Sequence, residues 1–290
     1  MVEHVVDTPD GRRLQVLEDG DPRGTPMLAH NGTPNCRRMP SPVIAKATAR
    51  GIRLISYDRP GYGGSSRRPN RTVADCCDDV IAIASTLGLE RLPVWGISGG
   101  GPHALACAAL LPELVPAVGV IASGAPWDAD GLDYLAGMGE LNAEDIRLII
   151  SDKAAARAKC EADRLEALAL EADDLAEYLQ TLLAPVDREQ LTPELAQYLV
   201  TTTREGLAPG ADGWWDDNVA ELGPWGFELG AIRTPVLLLH GRQDRFVPFA
   251  HGEWLARHIP GVQAELSDED GHLSLLGRID RVYDWLLEHV

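Results

Sequence analysis

In Leu92-Pro93-Val94-Trp95-Gly96-Ile97-Ser98-Gly99-Gly100, an apolar run of strand length turns directly into a glycine-rich corner, and a helical pattern, Gly100 to Leu111, follows without a linker. Gly-x-Ser-x-Gly between a strand and a helix has a mechanical meaning. A serine at the tip of so sharp a turn sits on a strained backbone, and neighbouring segments pass too close for side chains at Gly96 and Gly100. Its hydroxyl is then exposed, and the helix N-terminus favours negative charge developing beside it. Ser98 is therefore the candidate nucleophile.

Working outward, the apolar runs Pro26 to His30, Arg53 to Tyr57 and Ala117 to Ala122 have the length of buried strands. Helical patterns, Val73 to Leu87 and Gly100 to Leu111, separate the later ones, and that alternation predicts an α/β fold with a mostly parallel sheet. Pro9-Asp10-Gly11 between His4 to Thr8 and Arg13 to Asp19 predicts an opening hairpin. From Trp127 to Glu221 no strand pattern is found, only Ala-, Leu- and Glu-rich helical stretches such as Ala143 to Lys159 and Ala162 to Leu183. This predicts a core of residues 1–126 and 222–290 carrying a helical insertion, 127–221. The insertion has 22 Asp and Glu against 7 Lys and Arg, so it holds −15 of the total charge of −18. A solvated acidic surface accounts for that. The alternation returns with Pro235 to His240, Ala250 to Ile259, Gln263 to Leu266 and Asp280 to His289.

A serine alcohol attacks only if a base takes its proton, and the base needs an acid to fix its tautomer. In a strand-turn-helix serine site the chain order is serine, acid, histidine. Four histidines, His251, His258, His272 and His289, lie beyond the late strand that could present the acid. His251 and His258 fall in a helical pattern and His289 is penultimate, whereas His272 stands in the polar loop Asp268-Glu269-Asp270-Gly271-His272. His272 is the candidate base. Leu237 to Pro248 ends a buried strand in a loop that offers Asp244 as the acid, with Asp128 and then Asp130, after the strand ending near Ala122, as competitors.

Acyl transfer also needs two backbone donors for the oxyanion. Gly99, after the nucleophile, supplies one, and Thr33 in His30-Asn31-Gly32-Thr33-Pro34 is expected to supply the other ahead of Asn31. Trp127, Trp214, Trp215, Trp225 and Phe227 flank the insertion and are candidate pocket walls or glue between insertion and core. His103 and Trp95 read as packing residues.

Taken together, Asn31-Gly32-Thr33-Pro34, Asp58-Arg59-Pro60-Gly61-Tyr62-Gly63-Gly64-Ser65, the Ser98 corner, Gly241 to Pro248 and Gly271-His272 resemble the α/β-hydrolase superfamily along essentially the whole chain. The resemblance implies a central sheet of about eight strands, one of them antiparallel near the start, and a helical cap inserted after the sixth. Where many relatives read His-Gly at the oxyanion loop, this chain reads Asn31-Gly32. Relatives that open epoxides or remove halide use an aspartate nucleophile and are disfavoured by Ser98. Those that release N-terminal proline usually carry Trp in the corner where this chain has Gly99, so a carboxylesterase ranks above a peptidase. Carbon-carbon bond hydrolases and cofactor-free perhydrolases share the same triad and stay open.

Composition narrows the remaining classes. The negative charge disfavours nucleic acid and anionic membrane surfaces as partners. Cys36, Cys76, Cys77, Cys107 and Cys160 have no framework spacing and read as buried free thiols, with no metal site and no organic cofactor implied. No secretory leader pattern opens the chain, which predicts a cytoplasmic enzyme acting on a small-molecule substrate and leaves homo-oligomerisation open. Outside enzymes, a receptor or scaffold need not keep base and acid in register with the serine. Gly61-Tyr62-Gly63-Gly64 lacks the third glycine and the helix of a dinucleotide fingerprint.

Overall fold

The computed structural model describes residues 1–290. Eight strands, β1 Val2–Asp7, β2 Arg13–Gly20, β3 Thr25–His30, β4 Ile52–Tyr57, β5 Val94–Ile97, β6 Val118–Ile121, β7 Val236–Gly241 and β8 Gln263–Ser267, form one sheet in the order β1-β2-β4-β3-β5-β6-β7-β8. Only β2 runs against its neighbours, and from β4 to β8 every pairing is parallel.

The parallel strands are apolar along their length because helices cover both faces. Alternate residues divide between the two layers. Val94, Val118, Val120 and Leu238 pack beneath α2 Cys76–Leu87, α3 Gly100–Leu110 and α10 Phe249–His258, through Val80, Ile83, Leu105 and Leu255. On the other face Trp95, Ile121, Leu237 and Leu239 meet α1 Ser41–Ala49 and α11 Ile279–Leu287, through Val43, Val282 and Tyr283. Each such side chain, fully buried, contributes roughly 1.5–3 kcal/mol, so the two layers fix the sheet that carries the site. All five cysteines are free and buried.

Between β6 and β7 the chain is helical: α4 Glu140–Ser151, α5 Lys153–Ala169, α6 Leu175–Tyr178, α7 Pro185–Gln190, α8 Pro193–Leu207 and α9 Asp212–Glu221. Two expected continuous helices are broken here. Asp152 ends α4 and caps α5, its carboxylate accepting the N–H groups of Ala154 and Ala155, and so divides the stretch Ala143 to Lys159. Leu170 leaves the helical region and divides Ala162 to Leu183. α1 has only a weak sequence signal, a Pro42 at its first turn.

From β3 the chain moves to β4 on one side, and β5 then pairs on the other side of β3. The crevice beyond the carboxyl ends of strands at such a crossover is where open α/β sheets hold ligands.

Candidate active site

Ser98 stands at that crevice with φ of +54°, a left-handed conformation that a side chain tolerates at a cost. Its two glycine neighbours are obligatory. A Cβ on Gly96 would lie 2.2 Å from the Gly100 carbonyl oxygen, and one on Gly100 would lie 2.1 Å from that of His30. The corner therefore wedges between β3, β5 and α3, which turns the serine outward into a cavity of about 330 Å³ between the sheet and the helical segment.

His272 and Asp244 reach the same place from the loops after β8 and β7. His272 Nδ1 donates to Asp244 Oδ2 at 2.8 Å, while Asp244 Oδ1 accepts the N–H groups of Phe246 and Val247, both at 2.8 Å. The Phe246 ring stacks on the imidazole at 4.5 Å between centroids. Burial draws the His272 pKa down, but the charge and hydrogen bond of Asp244, with the charge of Asp187, outweigh it and leave the ring above its usual value. Ser98 and His272 line the cavity together without a direct hydrogen bond between them, a contact of the kind that tightens when substrate arrives. Asp128 and Asp130, the competing acids, are exposed. Of the other histidines, His251 accepts from Ala125 N at 3.1 Å and donates to Tyr134 O at 2.8 Å, which fixes it neutral, and burial pushes it down to about 4. His103 ties Nδ1 to the Gly99 carbonyl at 2.8 Å and holds the corner from behind, in keeping with a packing role.

The amides of Gly99 and Thr33 make no hydrogen bond within the protein, and both residues line the cavity beside Ser98. Asn31 instead folds its own loop, donating from Nδ2 to the carbonyls of Cys36 and Arg38, both at 2.7 Å. Three groups that sequence reasoning left without a role hold Thr33 in place. Arg59 donates to the Asn31 carbonyl, to Thr33 Oγ1 at 2.9 Å and to Asp217 Oδ2 at 2.7 Å. Asp217, fully buried in α9, also accepts from Arg71 at 2.7 Å. Burial would raise its pKa, but the two guanidiniums hold it well below the usual carboxylate range. Glu221, one turn later, lies 3.5 Å from Thr33 Oγ1, and burial together with the Asp217 charge pushes it up to about 8. Arg59 belongs to the Asp58 to Ser65 turn, so its presence was visible in the sequence; its contact with a residue 158 positions away was not.

The pocket expectation needs correction. Of Trp127, Trp214, Trp215 and Trp225, Trp214 alone lines the cavity, and Trp95, expected to be a packing residue and fully buried in the sheet, also reaches its wall. Trp127 packs on Tyr134, whose own ring reaches the wall. Trp225 is buried in the core against Phe227, its Nε1 donating to the Glu221 carbonyl, and Trp215 faces a separate small cleft. Most of the wall is apolar, with Leu, Ile and Tyr side chains of α4, α6 and α8 and with Met39 and Met138 from neighbouring loops, and it has no Lys or Arg; the ionisable groups besides the histidines and tyrosines are Asp145, Asp163 and Glu221.

A family model described as the alpha/beta hydrolase fold matches residues 25–278. The chain belongs to the alpha/beta hydrolase family. Among its relatives, an AB hydrolase superfamily protein, YisY, of Bacillus subtilis is 28% identical, with 93% of this chain and 92% of that one covered. A 2-hydroxy-6-oxononadienedioate/2-hydroxy-6-oxononatrienedioate hydrolase of Cupriavidus pinatubonensis is 24% identical over 93% of this chain and 83% of that one. In fold, the chain superposes on a thermophilic esterase from Thermogutta terrifontis with a TM-score of 0.70 at 20% identity, all of both chains covered. The hydrolase assignment and the eight-stranded fold follow; no helix is long and apolar enough to cross a membrane.

Proposed function

We propose that this hydrolase cleaves small neutral carboxylic esters through an acyl-enzyme, with Ser98 as nucleophile, His272 as base, Asp244 as its orienting acid, and the Gly99 and Thr33 amides as oxyanion donors. The helices between β6 and β7 act as the cap over the substrate. His272 Nε2 takes the proton of Ser98 as Oγ attacks the carbonyl carbon, and the oxyanion falls between the two free amides. Collapse expels the alcohol, which receives that proton from His272. Water, deprotonated by the same nitrogen, then releases the acid and regenerates the serine.

The observation that carries this reading is the convergence of Ser98, the His272-Asp244 pair and two unpaired amides on one apolar cavity. The wall also bears on the choice among relatives. The Cupriavidus protein is named for a dicarboxylate, and a dicarboxylate calls for cations that this wall lacks. The corner argues against proline-releasing peptidases, since a Cβ on Gly99 would meet Thr33 Oγ1 at 2.3 Å, leaving no space for a tryptophan.

The test is reaction of the purified protein with a fluorophosphonate, beside Ser98→Ala, followed by p-nitrophenyl esters of increasing chain length. Labelling of the parent alone, with turnover of neutral esters, is expected. A folded parent that neither labels nor turns over any ester, or a Ser98→Ala protein as active as the parent, overturns the proposal.

A further inference from the structure

The loop that carries His272 is gripped by a carboxylate from the helical segment between β6 and β7. Asp187, in α7, is fully buried. Its Oδ2 accepts the backbone N–H of His272 at 2.8 Å, and its Oδ1 accepts those of Leu273 at 2.8 Å and Ser274 at 3.0 Å. These amides lead into the short 3-10 helix Ser274–Arg278, whose first N–H groups have no partner inside the helix. Such groups are ordinarily met by a local cap, but the residue at the cap position is Leu273, which has no side-chain oxygen. The acceptor comes instead from a residue 85 positions earlier. Gly271 makes room for it, since a Cβ there would lie 2.3 Å from Asp187 Oδ2.

We propose that Asp187 is a positioning residue for His272, so that seating α7 on the core and placing the base are one event. This rests on the reading of His272 as the base. Asp244 fixes Nδ1 and Phe246 stacks on the ring, but both belong to the loop after β7. Residues 271 to 273 have no helix or strand of their own to hold the backbone from which the imidazole hangs. Asp187 supplies that hold, and its charge joins that of Asp244 in stabilising the imidazolium formed when Ser98 gives up its proton. The other titratable groups facing this pair are His240, 3.7 Å from Asp244, and His251 behind it, and burial draws both below the usual histidine value. Any opening of the cap must then leave α7 in place, because α7 cannot lift without releasing the base.

Asp187→Asn separates this role from general stability. The amide has one acceptor oxygen. If that oxygen keeps Leu273 and Ser274, its NH2 faces the His272 N–H, donor against donor. Circular dichroism and a cooperative melt establish that the variant is folded. Hydrogen exchange at the His272, Leu273 and Ser274 amides is expected to quicken by about tenfold or more, the loss of a hydrogen bond to a charged group. For p-nitrophenyl acetate, kcat is expected to fall by about 10–100-fold with KM little changed, as for a base displaced by a fraction of an ångström. The acid limb of kcat/KM moves to lower pH, because an anion that favoured the charged ring is gone. A folded variant with parental exchange and an unmoved acid limb overturns the proposal, whether or not its activity has dropped. Fluorophosphonate labelling of the parent keeps the two readings apart. A labelled parent with an unmoved loop sinks the role of Asp187 alone, whereas an unlabelled parent whose loop loosens in the variant sinks the reading of Ser98 and His272 as nucleophile and base and reduces Asp187 to a holder of the loop.

Discussion

Asp244 and Asp128 are the same side chain, and only their surroundings separate them. Asp244 is buried, with one oxygen committed to two loop amides and the other to His272, whereas Asp128 is exposed. In Asp244→Asn the amide oxygen would stay with the Phe246 and Val247 N–H groups, which turns the NH2 toward His272 Nδ1. The ring must then accept there and carry its proton on Nε2, where no lone pair remains for Ser98. We expect kcat on a p-nitrophenyl ester to fall by about 10⁴-fold in Asp244→Asn and to hold at the parental value in Asp128→Asn. The opposite pattern would move the acid to the β6 side. That Ser98, His272 and Asp244 would come together was legible in the sequence, because strand-turn-helix patterning and chain order constrain them locally. Arg59, Asp217 and Asp187 were not, because their roles consist of contacts between segments far apart in the chain, and a single charged residue announces no partner.

At the scale of the element, α9 shows what periodicity withholds. The sequence offered both Trp214 and Trp215 as pocket walls, but adjacent helical residues diverge by about 100°, and Trp214 alone faces the cavity. The same geometry puts Asp217 and Glu221, four apart, on one face, toward Thr33 and Arg59. α9 thus carries a cost that depends on pH. Glu221 has a folded pKa of about 8 against an ordinary 4.5. Between those values the unfolded chain ionises the group while the fold keeps it protonated, so the parent loses stability as pH rises through that window. Gln matches the neutral acid in shape and has no proton to lose. The melting temperature of Glu221→Gln should therefore equal or fall short of the parent's near pH 4.5 and gain on it up to pH 8, by roughly 2 °C for each kcal/mol. Thermal melts across that range decide it, and a difference that stays constant with pH would mean that Glu221 titrates normally.

For the whole molecule, a mostly parallel sheet and a long helical insertion were legible because strand-helix alternation stops and resumes in the sequence; the inner lining of the cavity was not, since helix rotation is set only by packing. The result is a binding site without a cation inside a protein of net charge −18. Both terms act against an anionic substrate, the surface field by slowing its approach and the wall by leaving its charge unpaired once inside. They separate by salt. The field reaches only about 10 Å at 0.1 M ionic strength and shrinks further above it, whereas an unpaired buried charge is barely screened. We expect kcat/KM for a p-nitrophenyl ester with a terminal carboxylate to lie at least about tenfold below that of the neutral ester of equal length, the consequence of about 1.4 kcal/mol. Raising salt from 0.02 to about 0.5 M should recover part of the difference and leave the remainder. Complete recovery would place the discrimination on the surface, and equal turnover at low salt would mean that a cation reaches the bound carboxylate, against the lining seen here.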